Sequence, residues 1–97
     1  MNKKYFELRE KKYLKLYKKA TQEWLYQHWG TRHIEKGYVG NPQFCPVAST
    51  INKETGKRYL VGAKHVFDGS EIVRNLPTSV TLFVRNFDYG CYPELRS

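Results

Sequence analysis

Two hydrophobic periods divide this chain. Over residues 4–29, projection at about 100° per residue places Phe6, Tyr13, Tyr17, Ala20, Trp24 and His28 in one stripe, flanked by Leu14, Leu16 and Leu25. The opposite side collects Lys4, Lys11, Lys12, Lys15, Lys18 and Lys19, joined by Leu8, Gln22 and Tyr26. Glu7 and Lys11 stand at i,i+4 in the favourable order, and Gly30 follows where a helix C-cap takes a left-handed residue. The pattern predicts one long amphipathic helix over 1–30.

The period then breaks. Residues 31–42 hold Gly37, Gly40, Asn41 and Pro42 and read as a loop anchored by Tyr38 and Val39. From residue 43 the spacing is two. Cys45, Val47 and Ile51 share one face of 43–51, and Tyr59, Val61, Ala63 and Phe67 share one face of 58–67. The polar stretch 52–57 predicts a hairpin between them, and Asp68-Gly69 predicts a second through a type I′ turn into a strand over 71–76. Val80, Leu82 and Val84 alternate with Thr81, Phe83 and Arg85, which predicts a fourth strand over 79–87. An irregular tail follows over 88–97.

The expected class is therefore α+β, in a single domain over 1–97. A long N-terminal helix would cover one face of a four-stranded antiparallel meander over 43–87. Gly62 and Gly69 would permit the alternative, a sheet curled into a small open barrel. Ninety-seven residues, 40% of them hydrophobic and 15% aromatic, suffice for one modest core and exclude a chain disordered by composition.

Charge adds a partner to this picture. The net charge is +8, and residues 1–29 hold eight basic and three acidic side chains, net +5, against net +3 for the remainder. A dense cationic helix face with interleaved Tyr5, Tyr26 and Trp29 supplies cations for phosphates and rings for bases. Lys53, Lys57, Arg58 and Lys64 form a second basic set on the expected first hairpin, with Arg74 and Arg85 on later strands. Each set has an ordinary alternative, a solvated helix exterior and lysines that block edge pairing.

Other chemistries have weaker support. Cys45 and Cys91 form no Cys-x-x-Cys, and the expected helix end separates His28 from His33, so neither metal nor other cofactor is expected. No nucleophile sits in a recognisable context; a metal-free ribonuclease using His33, His65, Arg58 or Arg85 is the least strained enzyme reading, and the expectation is a non-enzyme. The basic start is not followed by an apolar h-region, and no run approaches about 20 apolar residues, so an intracellular protein without membrane association is expected.

The sequence thus predicts a small basic protein that grips RNA or DNA phosphates with low sequence specificity. The contacts would come from Lys4, Lys11, Lys12, Lys15, Lys18, Lys19 and Tyr26, together with Lys57, Arg58 and Lys64. The alternative is a protein-binding inhibitor or adaptor, of the kind phages and mobile elements carry as accessories. Its basic helix would dock on an acidic patch or nucleic-acid channel of a larger enzyme.

Overall fold

The computed structural model describes residues 10–97. Their elements run α1 (Lys11–Trp29), α2 (Pro46–Thr55), β1 (Leu60–Val61), β2 (His65–Asp68), β3 (Glu71–Asn75) and α3 (Thr78–Asp88), with a 3-10 turn at Pro93–Leu95. The class is α+β, but the described residues form three helices and an open, three-stranded antiparallel sheet in the order β1-β2-β3. Neither the four-stranded meander nor a barrel forms.

Helix α1 ends as the sequence predicts: Gly30 is left-handed, with φ 74°, and its N–H donates to Tyr26 O at 3.0 Å. It spans Lys11–Trp29 rather than 1–30, and Lys4, Tyr5, Phe6, Glu7 and Leu8 lie outside the described residues. Its inward stripe is also rotated from the expected one. Thr21, Trp24 and Leu25 are buried and Leu14, Tyr17 and Trp29 pack on the core, whereas His28 is exposed and Leu16 is 58% exposed. The cause is the partner, because α1 packs chiefly against α3 instead of covering a sheet face.

Helix α3 replaces the expected fourth strand. Val80, Phe83 and Phe87, at i, i+3 and i+7, are all fully buried, and the β-propensity of a Val/Thr/Phe-rich segment yields to that packing. Beyond α3, the Tyr92 ring lies 4.7 Å from that of Phe83, and its hydroxyl donates to Leu14 O at 2.7 Å. Burial raises the Tyr92 pKa well above its ordinary value.

Helix α2 replaces the expected first strand. Pro46 occupies its first turn, Cys45 Sγ accepts from Ala48 N at 3.4 Å, and Gly56 closes it in a left-handed conformation, φ 70°. The buried set Pro46, Val47, Thr50 and Ile51 follows a helical period that the spacing of Val47 and Ile51 also satisfies. The stretch 52–57 is accordingly a helix end and not a hairpin loop. There Asn52 clasps Tyr59, accepting from its N–H at 2.7 Å and donating to its carbonyl at 3.0 Å.

The expected second strand breaks at Gly62 into β1 and β2, which pair with each other at Leu60↔Phe67 and Val61↔Val66. Strand β3 falls where predicted. Its turn differs, because only Gly69 takes positive φ, 62°, which fits a type II′ turn and excludes type I′. Val66 opposes Arg74 and Phe67 opposes Ile72, so Val73 is an extra, bulged residue. The tail is likewise more ordered than expected: Arg96 forms a parallel bridge with Gly37, bonded through Gly37 N–H to Leu95 O at 2.8 Å and Ser97 N–H to Gly37 O at 2.9 Å. No helix among the described residues is long and apolar enough to cross a membrane.

Gly37 is where the linker, the start of α2 and the C-terminal segment meet. A Cβ there would lie about 2.6 Å from the Cys45 carbonyl carbon and at least as close to Phe44 O and Pro46 N, all of them backbone atoms that cannot rotate away. Gly37→Ala should therefore cost about 3 kcal/mol or more of stability, read as a lower midpoint in urea unfolding. An unchanged midpoint would mean that the two backbones separate cheaply.

Candidate nucleic-acid interface

The lysines of α1 divide by environment. Lys11, Lys15 and Lys19 recur every four residues, about 6 Å apart along the axis, and are exposed on the side turned from the core. No carboxylate pairs with them among the described residues, although Lys19 contributes to lowering the Glu23 pKa. Lys12 lies 3.8 Å from Glu10 in an exposed pair. Lys18 lies against the C-terminal segment, its ammonium 3.2 Å from a Glu94 carboxylate oxygen. Four of the five described lysines thus face solvent, and the fifth is partly spent on the fold.

Tyr26 continues the lysine row at the other end of the helix. The residue is 47% exposed, and the Arg32 guanidinium lies 3.6 Å from the ring centre. Arg32 also binds Glu23 through two N–H···O bonds, at 2.8 and 3.3 Å. Those bonds first, and the guanidinium charge second, hold the Glu23 carboxyl below its usual range. One face of Tyr26 is therefore already occupied by a guanidinium whose charge is met by a carboxylate. Arg32 is a neighbour that helical projection alone could not reveal, because it lies beyond the C-cap.

The second basic set is dispersed. Lys57 and Arg58 are exposed in the connection between α2 and β1, with the Lys57 ammonium 5.8 Å from the Tyr59 ring centre. Lys53 of α2 is bound to Glu35 of the linker at 3.3 Å, and Glu35 lines the same hollow as Glu94, the partner of Lys18. Arg74 is directed to the core side, its guanidinium 5.5 Å from the Trp29 ring and its Nε buried without a hydrogen-bond partner among the described residues. Lys64 is in the β1–β2 turn, where it lines the same hollow as Arg85 of α3. Read as a strand, 79–87 hid that hollow. Read as a helix, it puts Thr78, Thr81, Arg85 and Asp88 on one polar face at i, i+3, i+7 and i+10.

The histidines and cysteines do not converge. His28, though exposed, packs edge-on against Trp24 and Trp29, with ring centres 5.6 and 5.9 Å away; partial desolvation there, and then the Arg74 charge, lower its pKa. His33 Nε2 lies 2.9 Å from a Glu35 carboxylate oxygen, and His65 Nδ1 lies 2.9 Å from Asn75 Oδ1. No cluster of three His, Cys, Asp or Glu side chains able to hold a metal occurs among the described residues. Both cysteines are free thiols.

Burial pushes the Cys45 thiol up to about 11, so it stays protonated where an unfolded thiol, near 9.0, begins to ionise. Stability from this group is complete below the unfolded value and is lost as pH rises through the folded one. At neutral pH iodoacetamide should accordingly alkylate half-buried Cys91 first and reach Cys45 only after unfolding, as mass spectrometry would resolve. Equal rates at the two thiols would mean that the first turn of α2 opens locally in the folded protein.

No protein-family model, curated protein or solved structure matches this chain.

Proposed function

We propose that this protein is a non-enzymatic nucleic-acid-binding protein that grips the phosphate backbone with the exposed face of α1 and has little preference for base sequence. The observation that supports this reading is the row Lys11, Lys15 and Lys19, flanked by Lys12. It stands on the side of the helix away from α3, with no carboxylate paired to its three regularly spaced members among the described residues. Charges so arranged neutralise several phosphates at once and release their counterions, a term independent of base identity. Tyr26, with Arg32 stacked on it, offers one further ring face at the end of the row.

A second reading, an adaptor or inhibitor that binds a protein, draws on a different feature. Ile72 and Val73 are 56% and 40% exposed on β3, an edge strand whose outer side pairs with no strand among the described residues. Edge strands of this kind accept an added strand from a partner. Such a partner would be held by apolar and main-chain contacts, and its affinity would depend weakly on salt.

The two readings separate in one experiment. Fluorescence anisotropy of labelled single- and double-stranded RNA and DNA, titrated at several salt concentrations, should give affinities that fall as a power of salt. Changing Lys11, Lys15 and Lys19 together to Glu should weaken every oligonucleotide alike and reduce the slope by roughly 2 to 3, about 0.7 to 0.9 for each phosphate no longer neutralised. All three side chains are exposed, so the unfolding midpoint should change little. A variant that retains both affinity and slope would remove the α1 row from the interface, and failure of the parent protein to bind at low salt would favour the protein-binding reading.

A further inference from the structure

From the outer face of α3 we infer a second, separate site, a groove that holds the phosphoryl group of a small phosphomonoester between Lys64 and Arg85. The inference does not depend on the α1 lysines. The face of α3 carrying Val80, Phe83 and Phe87 is buried, and the opposite face, carrying Thr78, Thr81 and Arg85, forms one wall. The other wall is the β1–β2 turn and the adjoining strand ends, with Lys64, His65 and Asn75. The hollow measures about 400 Å³.

Its lining contains two full positive charges and no carboxylate. Neither Lys64 nor Arg85 has an ion-pair partner among the described residues, although Glu10, Glu23, Glu35 and Glu94 each meet a cation elsewhere on the surface. A guanidinium fork and an ammonium in the two walls suit a tetrahedral dianion, which takes charge-assisted bonds from both sides. The Thr78 and Thr81 hydroxyls add neutral donors. The hydrogen bond from His65 Nδ1 to Asn75 Oδ1 fixes the imidazole across the two strands at the rim.

A second hollow adjoins this one. Thr81 and Arg85 also line a neighbouring hollow of about 240 Å³ that runs between Val84 of α3 and Pro42, Val61 and Gly62. Its charged groups are Arg85 and Asp88, the latter accepting a hydrogen bond from Gly40 N–H at 2.9 Å. Leu76 and Leu82 complete the lining of the cationic hollow and Val61 and Val84 line its neighbour, and apolar walls beside two cations fit an organic moiety attached to a phosphate better than an inorganic ion alone. A phosphate of a nucleic-acid strand presents the same phosphoryl chemistry, so both sources must be compared.

The test is a ¹H–¹⁵N NMR titration of the full chain at constant ionic strength with adenosine monophosphate, inorganic phosphate, adenosine and an oligonucleotide without terminal phosphates. Saturable shifts at the amides of Lys64, His65, Thr81 and Arg85 with the monophosphate, weaker ones with phosphate and none with adenosine are expected. Arg85→Ala and Lys64→Ala, both at exposed positions, should each weaken the monophosphate about tenfold while the rest of the spectrum is unchanged. A variant with Lys11, Lys15 and Lys19 changed to Glu should bind it as the parent does. Groove shifts with the oligonucleotide that Arg85→Ala abolishes would identify a strand phosphate as the source, whereas their absence would identify the small ester. The inference is overturned if no phosphate-bearing probe shifts the groove, if adenosine does so equally, or if the two alanine variants bind undiminished.

Discussion

The packing of α3 on α1 is the constraint from which the rest of this molecule follows. Phe83 and Phe87 have no solvent exposure, and they bring with them Tyr92, whose hydroxyl closes on the Leu14 carbonyl of α1. Each buried aromatic ring of this size contributes on the order of 2 to 3 kcal/mol of apolar burial. No surface ion pair here approaches that, since exposed pairs contribute about 1 kcal/mol or less. Both helices are amphipathic, so joining their apolar faces leaves their polar faces pointing in opposite directions. The lysine row of α1 and the groove face of α3 are thus separate surfaces by construction.

That pairing also explains which parts of the chain are legible in the sequence. The C-cap of α1, the linker after it and the Asp68-Gly69 hairpin can be read because glycine at a left-handed position is a local requirement. The two segments that read as strands and fold as helices have local signals that point both ways. Val47 and Ile51 lie four apart, a spacing common to a strand face and a helix face, and the deciding marks are Pro46 at the start and Gly56 after the end. In residues 79–87 alternation and β-branching favour a strand. Only the non-local demand of α1 for an apolar partner selects the helical set Val80, Phe83 and Phe87.

The candidate interface is legible to a comparable degree. Lysines at four-residue spacing on α1 need only the helix to be right, and a rotation of its buried stripe by about one residue leaves Lys11, Lys15 and Lys19 exposed. What the sequence cannot supply is the pairing of charges across the fold. Lys18 meets Glu94, 76 residues away, and Lys53 meets Glu35, 18 residues away; both are subtracted from the free cationic surface by tertiary structure. Arg85 is added to it, because a helix in place of a strand sets that guanidinium across from Lys64.

Placing unpaired cations on two opposed surfaces has an electrostatic consequence. Like charges held on a compact chain of net charge +8 repel one another, and a polyanion or bound phosphate relieves this repulsion in the folded state more than in an extended one. Ligand and fold are then coupled through mass action, since anything that binds only the folded form stabilises it by RT ln(1 + L/Kd), with L the free ligand concentration. The acids already neutralised, Glu23 by Arg32 and Glu94 by Lys18, cannot offer that relief, for their charge is committed to holding the linker and the C-terminal segment against α1. The net positive balance is set by the sequence, and the topology decides where it shows: Glu23, Glu35 and Glu94 are used where segments meet, and cations without a carboxylate partner among the described residues stand on the outer faces of α1 and α3.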